Sequence, residues 1–297
     1  AAQDETYADR FRRLGARPDA IAVTGSIKYD GAQTDRHNPA TERLRHLAGF
    51  AADDTVFLAG STQEPEEQAA LATFCDLKDA WPQLRLVLVP RHPDRFDAVA
   101  RLLDESGLPW QRRSTLAEEG GRVQGSEVGG RRSEVADQDL ERTASRTPWL
   151  AGSPPRPSAA GSSPRSLLVD TVGELGAWWG TAHIAFVGGS FGNRGGQNMI
   201  EPAAYGAAVC FGPNTWNFRD IVATMLEHEA AVVVRTPDEL TEFVRRCLSE
   251  ANFAAALADR ARILVAGQLG ATERTSDRLI PLVEGQPAAS QRGLAAA

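Results

Sequence analysis

Short, uninterrupted apolar runs alternate with amphipathic stretches along most of this chain. The runs are residues 55–59 (TVFLA), 84–89 (LRLVLV), SLLVDT from Ser166, HIAFVGG around Ala185, Phe186 and Val187, 207–211 (AAVCF) and 231–235. Each has the length of a strand and none alternates with polar residues, as strands covered on both faces do. Between them lie helical spacings. Ala70, Phe74, Leu77 and Trp81 recur four, three and four apart, predicting a helix over about 64–80. Phe96, Val99, Leu102 and Leu103 predict one over 95–105, stopped by Gly107; Ile221, Val222, Met225 and Leu226 predict one over 219–229. Strands alternating with single helices give an α/β fold with a Rossmann-like, doubly wound parallel sheet.

At the start, Tyr7, Phe11 and Leu14 share one face of a helix over 4–15, ending at Gly15 as C-cap. Residues 21–25 (IAVTG) read as a strand, 32–40 as a polar loop, and 41–50 as a helix. The helix meets the chain at Ala1 without a leading Met, which predicts an upstream domain. A short helix carries Trp178 and Trp179, read as core. Thr236, Pro237, Asp238 and Glu239 form a helix start, with Thr as N-cap, Pro next and acids in the first turn. Helices then continue to about Val283. Residues 112–165 break the pattern. They are rich in Gly, Ser and Pro, with scattered arginines and few large apolar residues, so they cannot bury enough surface to offset their ordering entropy. They read as a disordered insertion. The domains expected are 1–40 (linker and the end of an N-terminal domain), 41–284 (one Rossmann-like domain carrying that insertion) and 285–297 (a frayed tail).

Composition narrows the picture only slightly. The chain has 297 residues, a net charge of −7, 42% hydrophobic and 24% charged residues, so it has material for a core and no bias toward nucleic acid. Cys75, Cys210 and Cys247 are far apart and form no disulfide or zinc pattern. No apolar run approaches the roughly 20 residues of a membrane span, and no signal peptide is apparent.

The chemistry concentrates where apolar runs end. After Val187 the chain enters a glycine-rich loop, 188–196, then turns helical with Met199, Ile200, Ala203, Ala204 and Ala207 on one face. A strand, a loop almost bare of side chains and a helix start present backbone N–H groups to an anion. The loop matches neither GxGxxG nor the P-loop pattern, which disfavours dinucleotides and ATP. Three more loops fall at the same sheet edge: 60–67, 90–93 and 170–175. Together they bring Ser61, Thr62, Gln63, Arg91, His92, Glu174, Asn198 and Glu201 to the edge where open α/β sheets bind ligands. The set has a cation for a phosphate, hydroxyl donors, and carboxylates to accept from sugar hydroxyls. His92 fits either a ligand contact or a packing role; His37, His46, His183 and His228 lack companions and read as structural or solvated. Ser61 lacks a GxSxG context.

Eight motifs, in order, resemble the 3-deoxy-D-manno-octulosonic acid (Kdo) transferases of lipid A biosynthesis. They are VTGSIKYD (23–30), AGSTQEPEE (59–67), VPRHPDRF (89–96), VDTVGELG (169–176), FVGGSF (186–191), GGQNMIEPAAYG (195–206), FGPNTWNF (211–218) and GATERT (270–275). The resemblance implies the C-terminal half of a GT-B glycosyltransferase. It implies an inverting, metal-independent transfer of Kdo from CMP-Kdo to a lipid A precursor, without a cofactor. It puts Ser61, Thr62, Gln63, Arg91, His92, Gly173, Glu174, Leu175, Gly195, Gly196, Asn198 and Glu201 on CMP-Kdo. The glutamate base and peripheral membrane contact belong to an N-terminal domain with no counterpart here, on the cytoplasmic face of the inner membrane. Gln63 and Gln197 stand where the family has His, Pro65 where it has Gly, and Val172 where it has Met. Each Gln keeps a hydrogen-bonding side chain and drops a titratable one. Other GT-B enzymes using UDP-sugars, as transferase or 2-epimerase, and a non-catalytic nucleotide-binding domain are the alternative readings.

Overall fold

The computed structural model describes residues 1–116 and 164–284. In chain order these form α1 (Glu5–Arg13), α2 (Pro39–Leu47), β1 (Thr55–Thr62), α3 (Glu66–Leu77), β2 (Leu84–Pro90), α4 (Phe96–Glu105), β3 (Trp110–Arg112), β4 (Ser166–Leu168), α5 (Leu175–Trp179), β5 (Ile184–Val187), α6 (Ile200–Ala204), β6 (Ala208–Phe211), α7 (Arg219–Glu227), β7 (Val232–Val233), α8 (Pro237–Ser249), α9 (Ala251–Ala266) and α10 (Ala271–Val283). One sheet of seven strands runs in the order β3-β4-β2-β1-β5-β6-β7, all pairs parallel.

Alternate residues of each strand feed two separate cores. Val56 and Leu58 join Trp178, Trp179, Ile200 and Leu264 on one face; Phe57 and Ala59 join Phe74, Leu77, Leu103, Phe243 and Leu257 on the other. This double covering is the reason the strand runs lack polar alternation. Chain connections leave β1 toward β2 on one side and β5 toward β6 on the other. The loops after β1 and β5 therefore part, and a crevice opens between them at the carboxyl edge. That switch point is where open α/β sheets bind ligands.

Several details differ from the sequence reading. Residues 21–25 do not enter the sheet: Val23 makes an isolated parallel bridge with Ala2. The run is apolar, but no second strand reaches it, and Ile21 and Ala22 stay half-exposed. The neighbouring residues are pinned instead to α10. Asp30 accepts from the N–H groups of Gly270 (2.7 Å), Ala271 (3.2 Å) and Thr272 (2.5 Å), capping that helix from a distant segment. Residue 112 closes the edge strand β3 and residues 113–115 form a 3-10 turn, so the chain departs from its frame later than position 112. The remaining insertion and tail residues, 117–163 and 285–297, lie outside the described residues. Cys75, Cys210 and Cys247 are free, the last two buried. Thr236 caps α8 as read, accepting from the Glu239 N–H at 3.2 Å.

His183 locks the opposite, amino edge of the sheet. Its Nδ1 accepts from the Val56 N–H at 2.9 Å, which fixes the ring as the Nε2–H tautomer. Burial holds its pKa well below the usual value, and Arg36 and Arg45 push the same way. The folded state keeps this ring neutral, while the unfolded chain takes up a proton below about pH 6.5. His183 therefore contributes stability that is present above that pH and lost as the pH falls, by up to about 1.4 kcal/mol per pH unit. Denaturant melts at pH 7.5 and 5.5 should show a larger loss for this chain than for a His183→Gln variant; equal losses would remove His183 as the titrating group.

Candidate nucleotide-binding cleft

The site begins with a break in β1. Its register with β2 shifts between Gly60 and Thr62, and Ser61 takes a left-handed conformation, φ 55°. A bulge at a strand end re-aims a side chain, and non-glycine strain of this kind costs on the order of 1–3 kcal/mol. Ser61 faces a cleft of about 220 Å³ that it lines together with Arg91, Leu175, Trp179, Gln197, Asn198, Glu201 and Phe218. A closed small-molecule pocket runs to roughly 300–1,000 Å³, so this cleft has the size of one wall of a site. A larger groove, about 340 Å³, lies between α1 and residues 24–28, against Tyr7, Phe11 and Ile27. It is away from the strand ends, and its surface is mainly apolar.

Arg91 follows β2, its N–H bonded to the Thr62 carbonyl at 2.9 Å. The loop beyond it is tied down by Arg95, which forks onto the buried Glu67 at 3.1 and 3.2 Å. The Arg91 side chain is exposed and makes no hydrogen bond or ion pair among the described residues. Across the cleft, Glu201 accepts from Asn198 Nδ2 at 2.9 Å, while Asn198 Oδ1 accepts from the Ile200 N–H at 3.0 Å. Burial raises the Glu201 pKa above the usual carboxylate value, against the opposing pull of Asn198 and Arg91. No described residue donates to its second oxygen, Oε2. The cleft thus pairs an uncommitted guanidinium with a carboxylate oriented by an amide. It can hold an anion on one side and accept hydroxyl hydrogen bonds on the other.

The glycine-rich loop is braced from behind. Asn214 donates backbone and side-chain N–H groups to the Ser190 and Phe191 carbonyls (3.0 and 3.1 Å), and Asn217 does the same to Gly195 and Arg194 (3.0 and 2.8 Å). Gly195 has φ 84°, and a Cβ there would lie 2.6 Å from the Trp216 ring. Phe218, two residues beyond Trp216, lines the cleft.

The structure brings together five of the residues expected at the site: Ser61, Arg91, Leu175, Asn198 and Glu201. Others are placed differently. Thr62 is fully buried, and its Oγ1 makes no hydrogen bond. Gln63 gives its backbone N–H to Glu66, and His92 and Gly173 are exposed away from the lining. Gly195 and Gly196 are buried and shape the loop without lining the cleft. Glu174 is engaged within the protein. Burial alone would raise its pKa, but Arg113 grips both oxygens at 2.9 and 2.7 Å and Thr171 donates at 2.7 Å, which together hold it below the usual value. The loop amides are not open either, since Gly189, Ser190 and Phe191 donate to Glu66. The helix after the loop, α6, is a bare five residues. Trp179, Gln197 and Phe218 were not expected in the lining. Phe218 was marked by the FGPNTWNF motif, and Trp179 contributes from the core side. Among the described residues no three His, Cys, Asp or Glu groups are placed to hold a metal.

A seven-stranded parallel sheet, helices on both faces and a polar cleft at the switch point define a Rossmann-like, doubly wound α/β domain. The fold is shared with a solved structure described as the C-terminal CMP-Kdo binding domain of WaaA from Acinetobacter baumannii, at a TM-score of 0.57 and 23% identity, covering 76% of this chain and 95% of that one. No family model matches the chain. By sequence the chain is similar to enzymes named 3-deoxy-D-manno-octulosonic acid transferase. It is 30% identical over 285 residues to the Haemophilus influenzae enzyme and 32% identical over 280 residues to that of Bordetella pertussis, covering 96% and 93% of this chain. It spans little more than half the length of these relatives, 57% and 55%.

Proposed function

We propose that this chain is the sugar-donor half of a Kdo transferase. The observation that carries the reading is the uncommitted Arg91 guanidinium facing Glu201 at the β1/β5 switch point. Arg91 meets the phosphate of CMP-Kdo, and Glu201, oriented by Asn198, accepts from hydroxyls of the nucleotide or sugar. Ser61 offers a hydroxyl on the near wall. In the reaction an acceptor hydroxyl attacks the anomeric carbon of Kdo with inversion. The bond from that carbon to the phosphate oxygen breaks, and CMP leaves with the electron pair. Arg91 stabilises the charge that develops on the departing phosphate. The acceptor is a lipid A precursor, and the group that takes its proton lies outside the residues placed here.

No helix among the described residues is long and apolar enough to cross a membrane. The proposal sets the protein peripherally at the cytoplasmic face of the inner membrane, where such an acceptor is reached. Calorimetry decides the sugar-donor assignment. CMP should bind this chain at sub-millimolar concentration and UDP at least tenfold more weakly. Silence with millimolar CMP, together with binding of UDP, would turn the reading toward a UDP-sugar enzyme.

A further inference from the structure

The glycine-rich loop has its anion already. Glu66 stands in the first turn of α3, 1% exposed, and both carboxylate oxygens are used. Oε2 accepts from the N–H groups of Gln63 (2.9 Å) and Gly189 (2.7 Å); Oε1 accepts from those of Ser190 (2.8 Å) and Phe191 (2.9 Å). The amides that a sequence reading would give to a phosphate are thus wrapped round an internal carboxylate. No cation among the described residues pairs with Glu66, so backbone dipoles alone balance it. Four short N–H bonds to one buried carboxylate are of the strong, charge-assisted kind.

We propose that Glu66 is a positioning residue. It presets the loop and closes these amides to the phosphate of a bound nucleotide. A second anion brought to the same three N–H groups would meet Glu66 at hydrogen-bond range without a counter-charge, which a buried site does not tolerate. The nucleotide phosphate is thereby directed to Arg91. The shape also propagates. The Gly189 carbonyl accepts from the Gly196 N–H at 2.8 Å, which hangs the far limb of the loop on the limb that Glu66 holds. That far limb carries Gln197 and Asn198 into the cleft, and Asn198 in turn orients Glu201. Glu67, the next residue, performs the parallel service for the Arg91 loop through Arg95. The first turn of α3 therefore fixes both walls of the cleft without touching its contents.

The phosphate part of this proposal rests on the function proposed above; the loop part does not. The test is amide hydrogen exchange on this chain, free and with CMP, for the parent and for Glu66→Gln. Gln offers one acceptor oxygen and turns an NH₂ group on the amides. In the free parent the Gly189, Ser190 and Phe191 amides should already be protected, and CMP should leave their rates unchanged. In Glu66→Gln their exchange should rise at least tenfold and the CMP Kd at least tenfold, while Val87 and Leu88 in β2 exchange as before. Unprotected amides in the free parent, protection acquired only on adding CMP, or parent-like loop exchange in a folded Glu66→Gln would each overturn the proposal. The parent measurement decides even if the variant fails to fold. Failure of the parent to bind CMP would sink the sugar-donor assignment, while the free-protein exchange rates would still judge Glu66.

Discussion

Arg91→Ala is expected to weaken CMP binding by roughly 10- to 150-fold and to leave the melting temperature where it was. A hydrogen bond to a charged group contributes about 1.5–3 kcal/mol, and each 1.4 kcal/mol is tenfold in affinity. Arg91 spends nothing on the fold: its side chain is exposed and has no internal partner among the described residues, so its removal leaves no buried group unsatisfied. Arg91→Lys keeps the charge and loses the planar fork, and should fall between parent and alanine variant. The same change has a signature without ligand. Burial raises the Glu201 pKa, and the charge of Arg91 partly offsets the rise. Without Arg91 the rise grows. A carboxyl whose folded value exceeds the unfolded one, about 4.3, stabilises the fold when protonated and costs stability as the pH climbs through the folded value. An NMR titration of the Glu201 carboxyl should therefore move upward in the variant. Unchanged CMP affinity in Arg91→Ala would take this residue out of the site.

The parallel sheet was legible because its central strands are buried on both faces, which gives short unalternating apolar runs such as LRLVLV or IAFV between helical spacings. The edges were not legible. Trp110, Gln111 and Arg112 form β3 with every residue half-exposed, so no apolar run marks them. Residues 21–25 carry the run but find only Ala2 as a partner. The site divides in the same way. Ser61, Arg91, Asn198 and Glu201 could be read from residue type and from their place just after strands. The carboxylates could not be sorted. Glu66, Glu174 and Glu201 each stand at or beside a helix start, and sequence offers nothing to say which one faces solvent. Glu174 meets Arg113, 61 positions earlier and across the insertion, and Glu66 meets Gly189, 123 positions later. Those pairings exist only once the sheet has brought distant loops to one edge. A carboxylate's role there depends on which partners arrive, and chain spacing does not encode that.

The closeness of β1 and β5 at this edge makes Gly188→Ala the most damaging small change available in the loop. Gly188 directly follows β5, with its N–H on the Gly60 carbonyl at 2.9 Å. A Cβ added there would lie 2.6 Å from the Ser61 carbonyl oxygen, 2.6 Å from the Thr62 Cα and 2.8 Å from Glu66 Oε2. The first two are backbone atoms of the central strand, which β2 holds on its other side, so no rotamer relieves the clash. Overpacking in a core costs about 1–3 kcal/mol even where side chains can shift. Here the strand must move, or Glu66 must leave the amides it binds, so a loss of at least about 3 kcal/mol is expected. For a domain of this size that lowers the melting temperature by roughly 6–12 °C. Gly192→Ala, four residues along the same loop, is the control. A Cβ there meets nothing within 4 Å, and the change should stay within about 0.5 kcal/mol. Because Gly188 shares its crowding with Ser61 and Glu66, the damage should also reach ligand binding in any folded fraction, since the near wall of the cleft and the brace of the loop meet at that one glycine. If the two alanine variants melt alike, the two strand ends are not in the contact that gives the cleft its floor.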